Sequence, residues 1–171
     1  MNKKFGFTLI ELLTVVVILG ILTSIALPQY RKAIQRTETS NALTNLKTIF
    51  DSAKRFKSTS SSWPTAFNQL DVDLLDISAN GDMGEFRYGF TNQNGGIASA
   101  CRLVNGSTTN TYCLRAFYTR TVRAYNGNSL VSTTQRDVYT CQYYSEKYRP
   151  LCESMCSDRV TISNATDECV I

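Results

Sequence analysis

The chain has 171 residues, 43% of them hydrophobic and 19% charged, with a formal net charge of +4. That is enough apolar material for one folded domain plus an appendage, and it excludes a disordered chain. There is no histidine, which excludes Ser-His-Asp and Cys-His catalysis and histidine-ligated metals. The charge is uneven: residues 1–57 carry nine bases and three acids, residues 58–171 nine bases and eleven acids. The C-terminal part therefore lacks the clustered basic face of a nucleic-acid-binding domain, and no specific nucleic-acid binding is expected.

The first element follows a short basic head, Lys3 and Lys4. Phe7–Leu27 is 21 residues with one charge, Glu11. As a helix it would be ~30 Å long, the thickness of a hydrocarbon core. A secretory h-region is shorter, roughly 7–15 residues. Ser24-Ile25-Ala26 nevertheless offers a small-x-small cleavage signal, so a secreted domain behind a signal peptide, or a membrane-anchored binding domain, stays open as an alternative. Two features oppose it: an acid inside the apolar run, and a helical pattern that does not stop at Ala26. A carboxylate in hydrocarbon costs at least ~2 kcal/mol, so Glu11 reads as functional and in need of a cationic partner.

Pro28 removes a backbone donor and crowds the carbonyl of Ser24, bending or loosening the helix at the end of the apolar stretch. Beyond it, Ala42, Leu46, Ile49, Phe50, Ala53 and Phe56 recur at spacings of three and four. They form one apolar stripe, with Lys47, Asp51, Lys54 and Lys57 outside it, suited to lying across a sheet. "STSSSWP" (58–64) ends the helix.

The acidic stretch 71–85 reads as a loop. Strand patterns follow at 86–90, 97–104, 111–125 and 136–144, with turn signals at Asn94-Gly95-Gly96, Asn105-Gly106 and Asn126-Gly127. These predict an antiparallel meander of about four strands whose inner face the helix stripe covers. From Glu146 on there is little strand pattern, and "PLCESMC" predicts a short helix starting at Pro150.

All six cysteines, Cys101, Cys113, Cys141, Cys152, Cys156 and Cys169, lie beyond residue 100. An even count confined to one region suggests disulfides in an oxidising compartment; a zinc site is the rival, with neither CxxC nor histidine to support it. Many pairings are open, and closing the shortest loops gives Cys101–Cys113, Cys141–Cys152 and Cys156–Cys169. Basic residues flank both ends of the apolar run, Lys3 and Lys4 on one side and Arg31, Lys32 and Arg36 on the other. The cysteines break that tie and place the C-terminal part outside the cytoplasm. Asn105-Gly-Ser and Asn164-Ala-Thr match a short, common sequon that carries little weight.

"KKFG" followed by "FTLIELLTVVVILGILTSIALPQY" resembles the N-terminal segment of type IV pilins and of the related type II secretion pseudopilins. The resemblance is dense over residues 3–34 and loose afterwards. It implies an α+β pilin fold, with a long N-terminal helix packed on an antiparallel sheet and a disulfide-bound, surface-facing C-terminal loop. It also implies that Gly6 ends a leader cut from Phe7 by a membrane prepilin peptidase, and that the new amine of Phe7 is N-methylated. Glu11 would then neutralise that amine within a subunit or on a neighbour, and Pro28 would mark a stretch that loosens in some filaments.

Some pseudopilins bind calcium, and Asp71, Asp73, Asp76 and Asp82 invite that guess. Their spacing lacks the EF-hand glycine and closing glutamate, so the stretch reads as a solvated turn. No metal and no cofactor is expected.

The expected organisation is a leader (1–6), a membrane or filament-core half-helix (7–28), an amphipathic half-helix (29–57) and a globular part (58–171). The expected role is structural rather than catalytic: a homopolymeric pilus subunit for adhesion, twitching motility or DNA uptake, with a type II secretion pseudopilin as the alternative. Its partners would be other pilin subunits, the prepilin peptidase and an assembly ATPase platform. It would sit in the inner membrane, N-terminus inside, before reaching the pilus, the cell surface or the periplasm.

Overall fold

The computed structural model describes residues 8–72, 77–78, 80–90, 96–126, 129–156, 160–161 and 168–171. Its elements are helix α1 (Leu9–Ser60), strands β1 (Asp82–Met83), β2 (Phe86–Phe90), β3 (Gly96–Arg102), β4 (Tyr112–Asn126) and β5 (Ser129–Tyr143), helix α2 (Arg149–Met155), and strands β6 (Val160–Thr161) and β7 (Glu168–Val170). Short 3-10 turns precede β1 and α2, at Phe67–Gln69 and Glu146–Tyr148. The chain divides into two units, one ending at Thr39 and one running from Ser40 to Ile171.

In the second unit the apolar stripe of α1 meets the sheet. Ala42, Leu46, Ile49, Phe50 and Ala53 are buried, together with Phe86, Tyr88, Tyr112 and Leu114. Each large side chain removed from water this way contributes ~1.5–3 kcal/mol. Alanines stand where the helix covers the strands: Ala98, Ala100 and Ala116 are fully buried. Such small residues leave room for Phe50, whose ring meets Tyr139 edge-on at 5.9 Å between centroids. Phe56, the last of the stripe, is half-buried.

Ion pairs tie the same helix to its surroundings. Lys54 Nζ lies 2.7 Å from Asp51 and 3.0 Å from Asp137 of β5. Burial opposes its charge, but hydrogen bonds to the two carboxylates outweigh that and raise its pKa.

The helix ends three residues past the expected Lys57, and the polar run is the reason. The hydroxyls of Ser58, Thr59 and Ser60 donate to the carbonyls of Arg55 and Phe56. Ser61 then turns left-handed, at φ 57°, and its N–H returns to the Lys57 carbonyl at 3.0 Å. That is a helix cap built without glycine.

Among the described residues the sheet has seven strands in the order β1-β2-β3-β4-β5-β7, with β6 on β4, and each of these pairings is antiparallel. The expected four-strand meander is its centre, β2 to β5, and three short strands are added to it. These have two or three residues each, too few to show any periodicity. Their places come from pairing along longer strands, so the acidic stretch contains β1, and the tail contains β6 and β7. β5 also starts earlier than expected, at Ser129, because Ser129–Gln135 pairs with residues 121–126 of β4.

Asn105-Gly106 forms a tight turn with both residues at positive φ, 52° and 75°, between Val104 and Ser107. The turn at 94–95 and residue Gly127 lie outside the described residues. Gly81 is required where it stands: its φ is 85°, and a Cβ there would sit 2.2 Å from the Tyr88 carbonyl oxygen.

Three disulfides close the second unit. Cys101 and Cys113, joined to each other, are cross-strand partners in β3 and β4. Cys141–Cys152 ties α2 to β5, and Cys156–Cys169 ties the end of α2 to β7. The C-terminal part thus gains covalent constraint in addition to its strand pairing.

The segment after α1 is held by a different device. Arg55 donates to both carboxylate oxygens of Asp71, at 2.6 and 2.7 Å, while the buried Ser52 hydroxyl also donates to Asp71 and the Asp71 N–H returns to Ser52 at 3.1 Å. The Arg55 guanidinium, and then Ser52, hold the Asp71 carboxyl well below the usual carboxylate range. Because the folded-state value is depressed, its stabilisation is present above about pH 4 and is lost as pH falls through the folded value. Asp71→Asn is expected to lower the thermal midpoint at pH 7, with the gap to the parent protein narrowing as pH drops below about 4. A gap that stays constant from pH 7 to pH 2 contradicts this role.

Candidate functional site

The N-terminal helix opens on Thr8, the residue before Leu9. The Glu11 N–H donates to Thr8 Oγ1 at 3.3 Å, and the Glu11 carboxylate accepts from the Thr8 N–H at 2.8 Å and from its hydroxyl at 2.6 Å. This is a reciprocal capping box, which satisfies donors that the first helical turn leaves open. The first intrahelical bond runs from the Leu12 N–H to the Thr8 carbonyl at 3.2 Å. The carboxylate thus also sits at the positive end of the helix dipole.

Along the rest of the apolar stretch every hydroxyl is absorbed by the backbone. Thr14 donates to the Glu11 carbonyl, Thr23 to that of Leu19 and Ser24 to that of Ile21, at 2.7–2.9 Å. These side chains add no unmet polar group to an apolar surface. From Leu9 to Leu27 every large apolar side chain is exposed, by between 46% and 83%. A surface of that extent is not left in water by a soluble protein. By length and composition this part of α1 is long and apolar enough to cross a membrane. The helix runs on through Pro28, whose missing N–H leaves the Ser24 carbonyl without its usual helical donor.

Of the expected site residues, the structure places Glu11 at the helix start and Pro28 within α1. Gly6 and Phe7 lie outside the described residues. The six cysteines are all joined in the disulfides given above. Asp71 is bound by Arg55, and Asp82 by Arg87 at 2.6 and 3.1 Å; Asp73 and Asp76 lie outside the described residues. Among the described residues, no group of three or more acids or cysteines is placed to hold a metal ion. Asn105 is exposed in its tight turn, and Asn164 lies outside the described residues. Thr8 is not among the residues expected from the sequence, although "TLIE" carries the Thr-x-x-Glu signature of a capping box. In a segment of membrane-like composition the acid stands out and the hydroxyl three residues before it does not.

Thr8→Ala removes this cap at a cost of ~1 kcal/mol, so amide exchange at the first turn of the full chain in detergent is expected to rise roughly fivefold. Unchanged exchange there contradicts the capping role.

Residues 1–27 match the family model described as the prokaryotic N-terminal methylation motif. The chain is 43% identical over 68 residues to the type IV major pilin protein PilA of Myxococcus xanthus, covering 40% of this chain and 31% of that one. It is 48% identical over 56 residues to a fimbrial protein of Pseudomonas aeruginosa, covering 31% and 36%. It is 32% identical over 89 residues to the type II secretion system core protein G of Vibrio cholerae, covering 52% and 60%. The chain thus spans about a third of the length of the pilins it matches. No solved structure gives a significant match. This chain therefore carries a prepilin-type N-terminal methylation segment, and its sequence relatives are type IV pilins and a type II secretion core protein.

Proposed function

We propose that the chain is a structural, non-catalytic subunit of a type IV pilus that polymerises through its N-terminal helix. The observation that carries this reading is the continuous exposed apolar surface from Leu9 to Leu27, broken by one carboxylate at Glu11, within the methylation motif of residues 1–27. In this reading residues 1–6 are a leader, cut between Gly6 and Phe7 by a prepilin peptidase, and the amine of Phe7 is N-methylated. Residues 7–28 hold the subunit in the inner membrane with its N-terminus inside, and an assembly ATPase platform drives its extraction. Residues 29–57 and the sheet then form the outer part of the fibre.

Glu11 is the assembly residue. In the lone helix its carboxylate is satisfied by Thr8. Cleavage after Gly6 creates an ammonium four residues before it, and apolar packing between helices brings neighbouring amines into reach. A carboxylate in hydrocarbon gains most from a cationic partner in one register and loses most in a wrong one. Pro28 supplies the place where the helix is free to loosen.

A second reading, a type II secretion pseudopilin, is favoured by the match to core protein G, which spans more of both chains than the pilin matches do. Abundance of the chain in sheared surface filaments supports the pilus; its confinement to the periplasm supports the pseudopilin.

Both readings predict that Glu11→Leu leaves the membrane-inserted precursor at normal abundance and lowers filament yield at least ~10-fold, a loss of ~1.4 kcal/mol or more in the assembly equilibrium. Normal filament yield from Glu11→Leu overturns the charge-pairing mechanism.

A further inference from the structure

The outer face of the sheet carries a recess of about 360 Å³ at the β3–β4 end. That volume is in the range of small-molecule sites, roughly 300–1,000 Å³. The Cys101–Cys113 disulfide lines it, and this cross-strand bond fixes the two strands against each other. The remaining lining is Ser99, Thr108, Thr109, Asn110, Arg115 and Tyr144. Among these described residues the single charge is the guanidinium of Arg115.

The recess is formed in advance of any ligand. The single Thr111 O–H is shared between the carbonyls of Thr108 and Arg102, at 2.8 and 3.0 Å, and the Tyr144 N–H donates to the Thr111 carbonyl at 2.8 Å. The Ser107 hydroxyl accepts from the Thr109 N–H at 3.1 Å, and Asn110 takes a left-handed φ of 54°. The rim is thereby held by its own hydrogen bonds. Arg115 is aimed as well: its Nη2 donates to the Tyr144 hydroxyl at 2.6 Å, and that hydroxyl donates to Gln142 Oε1 at 3.0 Å. Among the described residues one of its five N–H groups is engaged, so an edge of the fork is left for a bidentate anion. Tyr144 is 45% exposed, which leaves ring surface at the wall.

We propose that this recess binds one carboxylate-bearing sugar unit, of the uronic or sialic acid class. Each part of the lining has a matching part in that ligand. The Arg115 fork takes the carboxylate, the hydroxyls of Ser99, Thr108 and Thr109 and the amide of Asn110 take ring hydroxyls, and the Tyr144 ring packs on the C–H face. A bare inorganic anion would leave most of the recess unfilled. An apolar ligand would strand the hydroxyls and the amide. The recess belongs to the unit Ser40–Ile171, so the proposal does not depend on how the chain polymerises.

The test titrates the full chain in detergent with glucuronic acid, N-acetylneuraminic acid, glucose and sodium sulfate, following amide and guanidinium resonances by NMR. Binding of at least one acidic sugar with a Kd of ~1 mM is expected, with shifts at Thr109, Asn110 and the Arg115 Nε–H. Glucose and sulfate are each expected to bind at least ~10-fold more weakly. Arg115→Ala and Arg115→Lys are both expected to lose at least ~10-fold, because lysine cannot reproduce the fork. Tyr144→Phe, which keeps the ring but removes the hydroxyl that aims Arg115, is expected to weaken binding, by less than Arg115→Ala does. An unchanged thermal midpoint shows that each variant is folded. Equal binding of glucose or of sulfate, no shift with either acidic sugar, or undiminished binding by folded Arg115→Ala overturns the proposal.

Discussion

An ionised carboxylate in a hydrocarbon environment must find a donor or a cation, and the N-terminal segment is organised around that requirement. Glu11 is the one charge in an apolar run long enough to cross a membrane. In the lone chain its partners are local, the N–H and hydroxyl of Thr8. A local pair of this kind lets the acid reside in the helix without a second subunit. It is also replaceable, because neutral donors satisfy a carboxylate less well than an ammonium does. The account of assembly rests on that difference. In the proposed assembly, a subunit would tolerate its acid while single and bind it better once an amine arrives.

The rest of the N-terminal helix is written so that nothing competes with this interaction. From Leu12 to Leu27 the hydroxyls bond to their own backbone, and the large side chains are uniformly apolar. The second unit solves an unrelated problem, which is to hold a loop-rich chain together with a modest core. Its devices are the α1 stripe over an alanine-lined sheet, the Ser52–Arg55–Asp71 clamp and three disulfides. Cys141–Cys152 fastens α2 to β5, and Cys156–Cys169 fastens the end of α2 to β7, which itself pairs with β5.

How much of this could be read from residues alone depended on the range of the interactions involved. The stripe from Ala42 to Ala53 was legible because a helix repeats its buried face every three to four residues. Asn105-Gly106 was legible because few other residue pairs accept two positive φ angles. The central strands were legible from their β-branched and aromatic content. β1, β6 and β7 were not, since two or three residues hold no period and their partners are distant in the chain. The Asp71 clamp was not, because a lone aspartate in an acidic stretch does not announce an arginine 16 residues earlier. At the N-terminus the acid is conspicuous by contrast with its surroundings, whereas the cap signature of Thr8 is masked by the apolar run that follows it. The recess beside Arg115 had no linear signature at all, being assembled from β3, β4, the turn between them and Tyr144 beyond β5.

The central claim is that cleavage after Gly6 creates the amine that Glu11 meets. Intact-mass and N-terminal fragment analysis of the chain recovered from filaments or membranes tests it directly. The account predicts a mature protein beginning at Phe7 and carrying one N-methyl group, with the six cysteines oxidised. A chain beginning at Met1, or one cleaved near Ala26 or Leu27, contradicts it.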